Sequence, residues 1–213
     1  MKIGVIGSGV VGQTLAAGFL KHGHAVAIGT RDPGKLEDWA AKNPGAAVKS
    51  FSEAAAFGDV VALAVGGEVA LDVLNFVGAA AIDGKPVIDA CNPIGGGPPV
   101  AGVLSFFTGQ NESLMERLQT AFPDAHFVKA FNSVGAQQMV NPQFAGARPT
   151  MFICGDNARA KHTVAAICDQ FGWEVEDMGA VEAARAIEPL CKLWCIPGIG
   201  KGDWSAHAFK LLR

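Results

Sequence analysis

The segment Gly7-Ser8-Gly9-Val10-Val11-Gly12 is the part of this sequence best suited to chemistry. It follows a short apolar run, Lys2–Ile6, and opens a stretch with helix-spaced Val11, Leu15 and Phe19. Gly7 would permit a tight turn, Gly9 would let backbone approach a pyrophosphate, and Gly12 would let helix close on strand. Free amides and the partial positive charge of a helix start would then face the phosphates. A strand-to-helix turn without a ligand could use the same glycines. The strand before and the helix after are what favour a dinucleotide.

A second set of residues bears on which dinucleotide. A site for NAD places Asp or Glu at the end of the second strand, about 20 residues on. Here that position reads Gly29-Thr30-Arg31-Asp32-Pro33-Gly34-Lys35. A hydroxyl and a guanidinium, with Lys35 one turn later, suit a 2′-phosphate. The sequence therefore points to NADP(H), with Arg31 and Lys35 as 2′-phosphate ligands. Asp32 dissents, one step late for a ribose, unless it only caps a helix.

The other strand ends should line the same crevice, because ligands bind beyond the carboxyl ends of parallel strands. They read Ala64-Val65-Gly66-Gly67, Asp89-Ala90-Cys91-Asn92-Pro93 and Ala130-Phe131-Asn132-Ser133-Val134-Gly135. Small residues such as Ala64, Gly66 and Ala130 would let a flat ring lie on backbone. Asn92-Pro93 could equally form a turn, but Asn92, Asn132 and Ser133 could hydrogen-bond a carboxamide or a second ring. Phe131, Asn132 and Ser133 are the expected substrate contacts. No acid–base histidine stands beside a carboxylate at a strand end, and Lys192 reads as a solvated lysine rather than a general acid. No catalytic side chain and no metal ligands are expected; the five cysteines have no metal-binding spacing and read as buried and reduced.

These residues need a framework, and the chain supplies an alternation of strands and helices. Apolar runs at 2–6, 25–29, 46–48, 59–65, 85–90, 126–130, 150–154 and 173–177 read as strands, with helical stretches between most of them. The expected fold is α/β, a doubly wound Rossmann-type, mostly parallel sheet with helices on both faces. Residues 1–213 form a single domain in this reading, and 180–213 is a helical extension beside the crevice, interrupted at Pro197-Gly198. The rhythm breaks near 134–148, where a change of topology is expected. Half of the 213 residues are hydrophobic, 27 are glycine and the net charge is −3, which excludes disorder and gives no field for nucleic acid. Five glycines between Ile3 and Leu20 argue against an export or spanning helix, so a cytoplasmic location is expected. The apolar segment 190–212 predicts a homodimer.

With Ile6-Gly7-Ser8-Gly9, Gly29-Thr30-Arg31, Val87-Ile88-Asp89-Ala90 before Asn92-Pro93, Lys129-Ala130-Phe131-Asn132, Cys154-Gly155-Asp156 and Ile187-Glu188-Pro189-Leu190, the chain resembles the NADPH-dependent coenzyme F420 reductases and related bacterial dinucleotide-binding oxidoreductases. The resemblance extends through Phe209-Lys210-Leu211 and covers nearly the whole chain. It implies hydride transfer between NADPH and a deazaflavin (F420) or a flavin such as FMN or FAD. It also implies that Ser8, Gly9, Val10 and Val11 hold the pyrophosphate, that Thr30, Arg31 and Lys35 hold the 2′-phosphate, and that Val65 and Gly66 lie along the cofactor. Such a reaction asks for orientation and a dry site more than for a side-chain acid. Asn132-Ser133 and Gly135 stand where deazaflavin-using members carry a histidine–threonine pair and a proline. Ala130-Phe131-Asn132 is instead similar to the cytosolic domains of membrane metalloreductases. Two other readings share the cofactor signature: reduction of an imine or small carbonyl, and an NADP-sensing module without turnover.

Overall fold

The apolar run Lys2–Ile6 is strand β1, and its residues after Lys2 are fully buried because it lies at the middle of a sheet. A computed structural model describes residues 1–213. From β1 the chain runs through helix α1 (Val10–Lys21), β2 (Ala25–Gly29), α2 (Glu37–Lys42), β3 (Ala46–Lys49) and α3 (Phe51–Phe57). It continues through β4 (Val60–Leu63), α4 (Gly67–Val77), β5 (Pro86–Asp89), α5 (Leu114–Ala121) and β6 (His126–Lys129). The six strands are all parallel in the order β3-β2-β1-β4-β5-β6. That order reverses between β1 and β4, and an open parallel sheet forms its ligand crevice at such a reversal.

Helices cover both faces, as buried parallel strands require. On one face α1 packs with α6 (Ala158–Gln170) around Phe19, Val128, Phe171 and Trp173; on the other α3, α4 and α5 pack around Ile6, Val61, Leu74 and Phe127. The approach of α3 is close: a β-carbon on Gly4 would stand 2.0 Å from the Ala54 carbonyl oxygen. Capping boxes start α3 and α5, at Ser50 with Glu53 and Ser113 with Glu116. The helices therefore begin at Phe51 and Leu114.

The break in rhythm near 134–148 is a topological change. Strands β7 (Thr150–Ile153) and β8 (Glu174–Asp177) pair in parallel with each other in a separate two-stranded sheet. An antiparallel bridge from Lys129 to Cys154 joins it to the edge at β6.

The C-terminal extension differs from the helical expectation. Helices α7 (Ala184–Ile187) and α8 (Pro189–Lys201) form, and α8 runs on through Pro197 to a left-handed Gly202. Gly198 lies under Trp204, whose ring would be 2.3 Å from a β-carbon there. Residues 203–213 are not helical. They run beside β7, where the Thr150 amide donates to the Phe209 carbonyl and the Leu211 amide to Thr150 Oγ1. A free strand edge offers the tail partners that a frayed helix end would lack. No helix is long and apolar enough to cross a membrane.

Candidate functional site

Gly7 has φ +131°, and a β-carbon on it would stand 2.2 Å from the Ala64 carbonyl oxygen, so the turn leaving β1 requires glycine. Gly12 is required for packing, since its β-carbon would stand 2.0 Å from the Gly7 carbonyl oxygen. Gly9 is different. Its φ is −76° and nothing lies within 4 Å of where a β-carbon would sit. The fold does not need glycine there; a ligand approaching the backbone would.

Helix starts bear on the same question: α2, α7 and α8 continue directly from preceding helical turns and carry no side-chain cap. Helices α3, α5 and α6 carry side-chain caps at Ser50, Ser113 and Asn157. Helices α1 and α4, whose first turns open on the crevice, begin at Gly9 and Gly66 with no side-chain cap. Their first amides are left for another acceptor, and an anion is the natural one.

Beside the Gly7–Gly9 turn lies a cleft of about 250 Å³ that also takes in Thr30, Arg31, Lys35 and Val65. Thr30 Oγ1 is 3.1 Å from Ser8 Oγ and fixes the end of β2 against the glycine turn. Asp32 borders this cleft too, but its Oδ1 accepts from the Gly34 amide at 3.1 Å and caps the turn at 33–36. Capping explains the dissenting carboxylate. The eight ion pairs of the molecule engage other residues, so the exposed Arg31 and Lys35 face the cleft as two unpaired cations.

A second cleft, about 430 Å³, shares Val65, Gly66 and Val69 with the first and reaches Val11, Cys91 and Asn92. The two together follow the carboxyl ends of the strands from β2 to β5. Ala64 borders the first cleft. Val10, 70% exposed, borders neither; it lines a third groove of about 270 Å³ with Gly135, Gln137, Gln138, Trp194 and Trp204. Trp194 stacks on His207 at 4.6 Å, and its Nε1 donates to the His207 carbonyl. A β-carbon on Gly135 would stand 2.7 Å from the Trp194 ring, so the glycine in place of proline makes room for the indole.

Several expected contacts lie elsewhere. Phe131 is a correction: with φ +62° the chain turns inward, its ring is fully buried 5.9 Å from Phe171, and it presents no surface to a substrate. Asn132 is buried and engaged, its Nδ2 donating to Asn92 Oδ1 at 3.0 Å and to the Ile187 carbonyl at 3.1 Å. Its Oδ1 is buried without a hydrogen-bond partner. Ser133, Pro93 and Ala130 are buried behind the crevice wall, and Gly12 acts only through packing. Lys192 is half-buried with its ammonium 4.1 Å from the Phe106 ring centroid, and it borders none of these three clefts.

Sequence reasoning missed Phe51, Val69 and Val73, which complete the first cleft. Their signal was present, since Val69 and Val73 are four apart at the start of a helix and share a face. It also missed the chemistry behind the second cleft. Lys129 and Asp89 are fully buried, Glu188 is 1% exposed, and Lys129 Nζ lies 2.6 Å from Asp89 Oδ2 and 2.8 Å from Glu188 Oε1. Burial alone pushes the Lys129 pKa down; the two carboxylates more than offset it and hold the ammonium above the ordinary lysine value. Four cysteines are buried and Cys195 is partly so, none in a disulfide; burial pushes the Cys154 thiol up to about 12.

The two conformationally distinct glycines give a test. Gly12→Ala should destabilise the protein by roughly 1–3 kcal/mol through overpacking, read as a lower Tm. Gly9→Ala should leave Tm close to wild type and weaken dinucleotide binding, because its methyl group enters the ligand's space. A Gly9 variant with undiminished binding would remove the phosphate from this turn.

Comparison with known proteins agrees with this geometry. Residues 2–93 match the family model described as NADP oxidoreductase, coenzyme F420-dependent. The chain is 33% identical to a candidate F420-dependent NADP reductase from Arthrobacter sp. FB24, with a TM-score of 0.92 and 100% of both chains covered. It is 31% identical over 201 residues to the rat metalloreductase STEAP3, covering 92% of this chain and 38% of that protein. Human metalloreductase STEAP2 is 26% identical, covering 89% and 36%. The chain thus spans less than two fifths of the length of these metalloreductases. An imine reductase from Streptomyces aurantiacus, 16% identical with a TM-score of 0.65 over 89% of this chain and 60% of that one, shares the fold. On the full-length match at 33% identity, and with the glycine turn and free cations in place, this chain belongs to the F420-dependent NADP oxidoreductase family.

Proposed function

We propose that this protein moves a hydride between NADP(H) and a deazaflavin (F420) or flavin ring. The observation that carries the reading is the uncapped start of α1 at Gly9, open to a ligand and flanked by the unpaired Arg31 and Lys35. NADPH bound there would supply the hydride from its nicotinamide ring. The pyrophosphate end is held by the first amides of α1, and the 2′-phosphate by Arg31, Lys35 and the Thr30 hydroxyl. Because the phosphate cleft opens on the β2 side, the rest of a dinucleotide must extend toward β4 and β5, into the cleft at Val65, Cys91 and Asn92. The backbone and small side chains there orient a flat ring and keep water from its face, which is most of what hydride transfer asks of a protein.

The groove at Val10, Gly135 and Trp194 supports an aromatic acceptor. It adjoins the second cleft through neighbouring Val10 and Val11, and the amides of Gln137 and Gln138 offer donors and acceptors to ring carbonyls and nitrogens. Five free cysteines support a reducing, cytoplasmic setting. Exposed Leu193, Trp204 and Leu212, with Val100 on the loop that meets α8, support pairing of two copies. Light scattering should give the mass of a dimer, and a monomer at working concentration would refute the pairing.

The deciding experiment is anaerobic stopped-flow mixing of the NADPH-loaded protein with F420, and separately with FMN. Saturable bleaching of one acceptor is expected. Silence with both, despite tight NADPH binding, would overturn hydride transfer to a flavin-type ring and favour an imine or carbonyl substrate.

A further inference from the structure

Three charged side chains buried together are the costliest polar feature of the molecule, and removing such a group from water is rarely repaid in stability alone. Asp89 and Lys129 are the last residues of β5 and β6 and are direct partners in the parallel register. Glu188 comes from the junction of α7 and α8, and its two oxygens also accept the Leu114 and Met115 amides at 2.9 and 3.0 Å, at the start of α5. The cluster therefore joins the sheet edge, α5 and α8 at one point.

What it holds is the turn that borders the second cleft. Asp89 Oδ1 accepts the Cys91 amide at 2.9 Å, and Lys129 Nζ donates to the Cys91 carbonyl at 3.0 Å. Both backbone groups of Cys91 are thus fixed by the cluster. A second path reaches the same turn: the Ile187 carbonyl, next to Glu188, accepts from Asn132 Nδ2, which also donates to Asn92 Oδ1, while Asn92 Nδ2 donates to the Asn132 carbonyl at 2.8 Å. Cys91 and Asn92 line the cleft; Lys129, Asp89 and Glu188 do not.

We infer that the buried Lys129–Asp89–Glu188 cluster is a positioning device that fixes the Cys91–Asn92 turn as the wall of the nicotinamide end of the crevice. The inference rests on the reading that the crevice takes NADP. None of the three residues touches the cofactor; each acts through the backbone of Cys91 or through the Asn132–Asn92 pair. An ionic cluster suits the task because its hydrogen bonds are charge-assisted and its geometry admits one arrangement. A hydrophobic cluster of the same volume would leave the Cys91 amide and carbonyl without these partners.

The test separates the two ends of the cofactor. Asp89→Asn is isosteric, but the Cys91 amide and Lys129 meet different carboxylate oxygens, and asparagine keeps an oxygen at only one of those two positions. The variant keeps Lys129 paired with Glu188 and so leaves no unbalanced charge. Glu188→Gln is the companion: it keeps Lys129 paired with Asp89 and loosens the path through Ile187. Calorimetric titration compares 2′,5′-ADP, which fills only the phosphate end, with NADPH, which fills both. Both variants should bind 2′,5′-ADP like wild type and lose roughly tenfold in NADPH affinity, the effect of one lost hydrogen-bonded contact. Equal loss for the two ligands would show a general structural role and overturn the inference, as would a folded variant with no loss for either. Wild-type protein that binds neither ligand would instead overturn the NADP reading beneath it.

Discussion

Arg31→Ala is expected to weaken NADPH binding by roughly 10- to 100-fold, the range of a charge-assisted hydrogen bond to a phosphate. NADH shares the adenine, on which the Arg31 guanidinium could stack, but lacks the 2′-phosphate, so it should lose no more than about fivefold, the effect of a lost cation–π contact at an exposed site. The asymmetry follows from the geometry. Arg31 and Lys35 face the cleft without a carboxylate partner, and the one carboxylate bordering that cleft, Asp32, caps Gly34. Because Arg31 is exposed, the preference for NADPH should shrink as ionic strength rises past the physiological range. Fluorescence titration of both dinucleotides against wild type and variant measures this directly. Equal losses would place the 2′-phosphate elsewhere and return the choice between NADP and NAD to Thr30 and Lys35.

The parts of this site that were legible in the sequence are those whose requirement is local. Gly7, Gly9 and Gly12 must stand at fixed offsets from one strand end, and an apolar run just before them marks that end. Arg31 and Lys35 follow the second strand at a spacing set by one helix and one strand. Phe131 was misjudged because a residue after a strand end was taken to face the crevice; its positive φ, which no neighbouring glycine announces, turns the ring onto Phe171. The tail at 203–213 carries helix-compatible spacing, but its backbone partners lie on β7, more than fifty residues earlier. The ionic cluster was the hardest to see. Asp89, Lys129 and Glu188 are distant in sequence, and each alone reads as a surface charge. The available hint was that Asp89 and Lys129 close the runs Val87-Ile88 and Phe127-Val128, where both faces of the strand are buried.

That cluster also sets the largest stability effect expected here. Lys129→Met removes the only cation between two buried carboxylates, and breaking a buried ion pair in this way costs about 3–5 kcal/mol. For a chain of this length the loss should lower Tm by roughly 6–20 °C. The comparison that identifies the cause is the double variant Lys129→Met/Asp89→Asn. If the loss came from packing, a second substitution at the same place would lower Tm further. If it comes from uncompensated charge, removing one of the two carboxylates should raise Tm above the single variant, while Glu188 keeps its two amide donors at the start of α5. The pH dependence carries the same sign. The Lys129 pKa is raised in the folded protein by Asp89 and Glu188 against the opposing effect of burial, so its contribution is fully present below the ordinary lysine value and is lost only as pH rises through the raised one. The difference in Tm between wild type and Lys129→Met should therefore persist across neutral pH and narrow in strong alkali. A double variant less stable than the single one would assign the cluster to packing rather than to charge.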